Sequence, residues 1–180
     1  MRKVEINDIE KELINLSTNK NEDCIYCIHE NPLVFRSKNN DVNDEYCIKN
    51  SIQICNSFNM GGTIVANTGD IDIAIFKKEG WDIGRNLLQF LCEKLRTYIP
   101  NIKVDGNDII TDEKYKVISN ASINVGERYI YTCVHISFNP NIELIKNTCN
   151  KPMVKIPKGL NSYNISQNYI LNIISQFLQL

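Results

Sequence analysis

Several residues in this chain have types and spacings that could do chemistry. Cys133 and His135, in YTCVHISFN, lie two apart, and on a strand both would face one side. A cysteine nucleophile needs a neighbouring base or cation, so the pair could serve as nucleophile and base, or be a chance pairing on a strand. Asp70 and Asp72, in GDIDIAIF, are also two apart on a strand-like run. Both carboxylates would face one side, where they could hold Mg²⁺, supply a base, or simply be solvated, as acids at a strand start commonly are. Lys116 stands in KYKVISNAS among apolar and small residues, so it either snorkels from an edge or aims at an anion. Met60-Gly61-Gly62-Thr63 pairs two glycines between strand-like runs, as a tight turn or as backbone that lets a ligand approach closely. Cys24-x-x-Cys27 with His29 has the first half of a zinc spacing. No second ligand pair follows, and on a strand the two cysteines would point to opposite faces, so the spacing argues against a metal.

The elements that must position these residues alternate along the chain. Residues 5–16 place Ile6, Ile9, Leu13 and Leu16 on one helical stripe, with Asn7 and Glu10 spaced as a capping box. Strands are predicted at Cys24–His29, Leu33–Arg36, Ser51–Asn56, Thr63–Ala66 and Asp70–Phe76. Trp81, Leu87, Leu88, Leu91 and Leu95 follow a 3.6-residue period, predicting a helix over Trp81–Ile99 that Pro100 stops. Strands follow at Ile102–Val104, Asp108–Thr111, Tyr115–Val125 and Tyr129–Phe138, and helices at Asn141–Cys149 and Ile165–Leu178. Interleaved strands and helices predict an α+β (α/β) architecture, a mixed sheet covered by helices, as one domain over residues 1–180.

Composition narrows the function classes. A chain of 180 residues fits one domain, and 43% hydrophobic with 23% charged residues is a globular balance. The net charge of −1 offers no excess of positive charge for a phosphate backbone or an anionic membrane. No apolar run approaches the ~18 residues of a membrane span, and the N-terminus turns acidic where a secretion signal would be apolar. Seven irregularly spaced cysteines suit a reducing, cytosolic compartment better than a disulfide framework.

The order of the motifs resembles the lipoate-protein ligase and octanoyltransferase family. GNDIITDEKYKVISNAS, Gly106 to Ser122, resembles the signature G-R-N-D-L-x-x-D-G-x-x-K-I-S-G-x-A, matching at Asn107, Asp108, Asp112, Lys116 and Ala121. ICNSFNMGGTIVANTGDID resembles R-R-x-S-G-G-G-T-V-x-H-D-x-G-N-x-N, matching at Gly61, Gly62, Thr63 and Gly69. HISFNPNIELIKNTCNKPMVKIPKGLNS resembles the family's strand, helix and Lys-Gly loop. The likeness runs in order over about residues 24–165.

The resemblance implies a lipoate-ligase-like domain without the C-terminal accessory domain of many ligases. It implies either ATP- and Mg-dependent formation of an acyl-adenylate, or thioester transfer of octanoate, with delivery to a carrier-domain lysine. Lipoate or octanoate, and possible ATP and Mg, would then be substrates rather than permanent cofactors. A lipoyl domain or acyl carrier protein would be the partner. Carried over, Lys116 would neutralise charge at the acyl carbonyl. Gly61, Gly62, Thr63 and Ala121 would line the acyl slot, and Asn107 and Asp108 would lie near the nucleotide. Cys133 or Cys149 would be the candidate for a thioester. The sequence also departs from the pattern. Asn56 and Ser57 stand in place of the arginine pair, Asn59 and Met60 in place of Ser-Gly, Ala66 and Asn67 in place of His-Asp, and Asp70 and Asp72 in place of amides. Lost arginines and added acids disfavour a bound triphosphate. The alternative is a non-catalytic acyl- or carrier-binding module with a degenerate nucleotide site.

Overall fold

The computed structural model describes residues 1–5, 8, 11, 12, 14, 15, 18, 22–37, 41–56, 62–78, 82–125 and 129–179. The helix expected over residues 5–16 falls largely outside them, as do Trp81, Gly61 and Met60.

Seven strands form the main sheet: β1 (Arg2–Lys3), β2 (Asp23–Ile28), β6 (Ile71–Lys78), β7 (Lys103–Asp105), β8 (Asp108–Ile110), β9 (Lys116–Val125) and β10 (Tyr129–Ile136). Their spatial order is β1-β2-β6-β10-β9-β8-β7, antiparallel throughout except for β1 against β2. A second, three-stranded sheet has the order β4-β3-β5, built from β3 (Leu33–Phe35), β4 (Gln53–Cys55) and β5 (Ile64–Ala66). Among the described elements, four α-helices cover them: α1 (Asp44–Lys49), α2 (Ile83–Leu95), α3 (Ile142–Thr148) and α4 (Gln167–Phe177). The α+β class and the mixed sheets under helices follow the sequence expectation. α1 went unread because six residues with one buried side chain, Cys47, show no helical period.

Strand alternation sorts the layers. On β6, Ile71, Ile73 and Ile75 face the helices, where α2 and α4 bring Leu87, Leu91, Ile170 and Ile174 onto them. Ala74 and Phe76 face the other way, onto the small sheet, with Ile25, Cys27, Leu33 and Tyr131. A third cluster, Val34, Cys47, Val65 and Ile145, lies between the small sheet and the pair α1 and α3. Cys24 and Cys27 accordingly sit on opposite faces of β2. The helices are capped where side-chain oxygens meet free amides: Asp82 accepts from Arg85 N on α2, and Ser166 from Tyr169 N on α4.

Candidate functional site

The inter-sheet face of the main sheet carries polar residues where the small sheet no longer covers it. The β6–β10 ladder pairs Asp72 with His135, the β10–β9 ladder pairs His135 with Ser119, and the β2–β6 ladder pairs Cys27 with Asp72. These four side chains form one row across four strands. His135 Nδ1 lies 3.0 Å from Asp72 Oδ1, and His29 Nε2 lies 2.5 Å from Asp72 Oδ2. A carboxylate can only accept, so both ring nitrogens donate to Asp72. That leaves Nε2 of neutral His135 as an acceptor, and Ser137 Oγ stands 3.4 Å from it. Asp70 Oδ2 is 3.6 Å from the same nitrogen.

The turn before β6 places the second carboxylate. Gly69 takes φ +90°, a conformation that glycine adopts without a Cβ clash, and its amide donates to His29 O at 2.7 Å. Asp70 then accepts from Phe138 N at 2.7 Å and Asn67 N at 2.8 Å. The sequence reading of Asp70 and Asp72 as solvated acids is therefore corrected: Asp70 is completely buried, and Asp72 is held by two imidazoles. Burial opposes ionisation of Asp72, but the charges and hydrogen bonds of His135 and His29 outweigh it and hold its pKa well below the usual carboxylate range. Burial likewise opposes the His135 imidazolium, and the charge and hydrogen bond of Asp72, with Asp70 behind, raise its pKa above the ordinary value.

His135 and Ser119 of this row, with Ser137, floor a groove of about 460 Å³ that Lys116, Gly62 and Thr63 also line. Lys116, at the start of β9, is pinned by its backbone: its amide donates to Ile156 O at 2.9 Å and its carbonyl accepts from Lys158 N at 2.8 Å. Its ammonium makes no hydrogen bond or ion pair among the described residues, although its charge is felt at His135. Thr63 donates to Asp41, which also accepts from Ser37 Oγ at 2.8 Å, so this wall is tied down. Ile64, Val65, Ile145, Met153 and Pro157 make the groove's apolar side.

The other candidates scatter. Asp108 lines the groove, but Lys155 binds its carboxylate at 2.8 Å and Asp105 at 2.8 Å. Asn107, in the turn between β7 and β8, lines a separate cleft beside Asp82 and Arg85. Ala121 pairs with Cys133 across the ladder. Cys133 shares the face of His135, yet its thiol donates to Tyr131 Oη at 3.0 Å, and burial pushes it up to about 12. Of the two readings of Cys133 and His135, nucleophile with base or chance neighbours on a strand, the first lacks a contact here: the histidine's nitrogens meet Asp72 and Ser137. Cys149 lines the groove as a thiol that burial raises to about 11. Gly61 lies outside the described residues. Ser137 and His29 were missed as site residues. The signal was present as a polar i, i+2 pair in each of two strand-like runs, Asp70/Asp72 and His135/Ser137, which adjacent strands bring onto one face.

No protein-family model and no curated protein matches the sequence. Solved structures do match the fold. The bipartite lipoate protein ligase from Thermoplasma acidophilum, analysed with its E2 lipoyl domain, superposes with a TM-score of 0.78 at 12% identity, covering 98% of this chain and 81% of that one. Protein Ta0514 from T. acidophilum with bound lipoic acid gives 0.77 at 11% identity over 98% and 82%. Lipoate-protein ligase A bound with ATP gives 0.75 at 14% identity over 99% and 84%. With its sheets and helices in this order, the chain has the fold of the solved lipoate-protein ligases.

Proposed function

We propose that the groove takes an acyl acid of the lipoate or octanoate type, with its carboxyl end at Lys116 and its chain along the apolar wall, for transfer to the lysine of a carrier domain. The observation that carries this reading is the ammonium of Lys116, without hydrogen bond or ion pair among the described residues, on the same groove as Gly62 and Thr63, positions far apart along the chain. An unpaired cation on a partly buried floor favours an anionic head group more than it would in open water. A volume near 460 Å³ is in the range of small-molecule sites. One solved neighbour has bound lipoic acid, another bound ATP, and a third was analysed together with its E2 lipoyl domain, which supports lipoate and ATP as substrates and a lipoyl domain as partner.

A second reading keeps the acyl site and drops the nucleotide. Asp108 is already neutralised by Lys155, and Asn107 faces the opposite cleft, so the pair does not converge on one metal or phosphate. The chain would then receive an already activated acyl group, or bind acyl carriers without turnover.

Ligand-dependent melting separates these readings. Lipoate or octanoate at 100 times its dissociation constant should add roughly 2.7 kcal/mol of stability. Lys116→Ala should remove that shift. Lipoyl-domain mass after incubation with acid and MgATP, or with an acyl thioester, reports transfer; gain only with the thioester selects the second reading. A wild-type protein whose melting ignores both acids would sink the acyl groove itself.

A further inference from the structure

Three side chains at and behind the groove floor stand in the order hydroxyl, imidazole, carboxylate. Ser137 Oγ is 3.4 Å from His135 Nε2, and His135 Nδ1 is 3.0 Å from Asp72 Oδ1. The hydroxyl and the ring line the groove, while the carboxylate is anchored behind them by His29. Each position follows from the ladders: Asp72 and His135 are direct partners, and Ser137, two residues on, faces the same side. The proton on Nδ1 is dictated by Asp72, so Nε2 is free to take a proton from the hydroxyl. A nucleophile, a base within reach of it and a third group orienting the base are the elements of covalent acyl transfer, and the hydroxyl–base distance commonly tightens only when substrate is bound.

We infer that Ser137 is a nucleophile of this groove, taking the acyl group of an activated donor as a serine ester, with His135 as its base and Asp72 orienting the ring. The inference rests on the acyl-groove reading. Ser137 Oγ attacks the carbonyl carbon of a thioester or activated ester, and its proton passes to His135 Nε2. The C–O bond forms as the carbonyl becomes an oxyanion, for which Lys116 is the cation on the same floor. The carbonyl re-forms, the bond to the leaving thiol or alcohol breaks, and His135 returns the proton to that group. An amine or water then attacks the ester, gives its proton to His135, and Ser137 Oγ leaves and recovers the proton. No redox partner or metal is needed. Asp70, 3.6 Å from Nε2, carries negative charge where the imidazolium appears and so stabilises it during both steps.

The groups facing His135 come from every neighbouring element: Asp72 on β6, Asp70 before it, His29 after β2 and Lys116 on β9. Burial and Lys116 oppose a proton on the ring, and the charge and hydrogen bond of Asp72 with the charge of Asp70 outweigh them, so the pKa is raised. The base form is thus gained as pH rises above the ordinary histidine range, and acylation should accelerate with it.

The experiment treats the full chain with p-nitrophenyl octanoate, following p-nitrophenol release, intact mass and peptide mapping across pH. One octanoyl group on Ser137 is expected, absent from Ser137→Ala and formed roughly 100-fold more slowly in His135→Gln. The wild-type rate should climb through a midpoint above the ordinary histidine range. Should Ser137→Ala melt early, Ser137→Cys keeps the test: the adduct should move to a hydroxylamine-sensitive thioester at position 137. Adduct on Ser119, Cys149 or a lysine, a pH-independent rate, or an unchanged rate in Ser137→Ala overturns the assignment. Octanoate binding without any ester overturns this inference and leaves the acyl groove standing; loss of both overturns both.

Discussion

At the scale of the residue, Asp72 holds the site together. Its two oxygens accept from His29 and His135, which places three titratable groups in one largely buried cluster. Removing the charge strands two imidazoles, and breaking a buried pair costs more than the pair contributes. Asp72→Asn should lower unfolding free energy by about 3 kcal/mol at neutral pH, measured by urea titration. The pH dependence has a definite sign on each side. The folded pKa of Asp72 is depressed, so its contribution is present above the unfolded value of 3.8 and is lost as pH falls through the folded one. The folded pKa of His135 is raised, so its contribution is complete below the unfolded value of 6.5 and is lost as pH rises through the folded one. The urea midpoint of the wild type should therefore peak between those two values, and Asp72→Asn should flatten the profile. An unaltered profile would show that the cluster is not ionised as described. Cys133 behaves oppositely: as a thiol raised to about 12, it should react slowly with iodoacetamide in the native state.

At the scale of the element, the segment after α3 decides how closed the groove is. Residues 156–160 run beside the start of β9 and the end of β10, bonded to Lys116 on both sides and, through Leu160 N, to Ser137 O at 2.9 Å. This strap passes so close that a Cβ on Gly159 would lie 2.0 Å from Phe138 O. Backbone cannot yield as a flexible side chain can. Gly159→Ala should push the strap off the sheet, costing about 2 kcal/mol and weakening any acid-induced rise in melting temperature. Full retention of both would mean that the strap does not position Lys116. On the far side of the sheet, α4 starts at Ser166, whose hydroxyl accepts from Tyr169 N. Ser166→Ala should cost about 1 kcal/mol by calorimetry while leaving acid binding alone.

At the scale of the whole molecule, the two faces of the main sheet divide stability from chemistry. Leu91 is completely buried between α2 and the sheet, on the face away from the groove. Leu91→Ala should remove about 3 kcal/mol of stability by leaving a cavity, with octanoate affinity unchanged. A parallel loss of affinity would mean that the two faces are coupled. Among the described residues no helix is long and apolar enough to cross a membrane. Most of the architecture was legible because it rests on local periodicity. Alternation in DIDIAIF and the 3.6-residue spacing of Leu87, Leu88, Leu91 and Leu95 require only neighbours along the chain. The boundaries shifted by a few residues, and α2 ends at Leu95 rather than Ile99.

The sequence by itself determined the order of strands and helices, the two acids Asp70 and Asp72 on one side of a strand, and a lysine in a motif resembling the lipoate ligases. Only tertiary structure decided that Asp72 lies opposite His135, that His29 reaches the same carboxylate, and that Asn107 and Asp108 part to different clefts. Strand register is non-local: it is set by which pairing buries the most apolar surface on both faces at once, and a slip of one residue would turn every one of these side chains away.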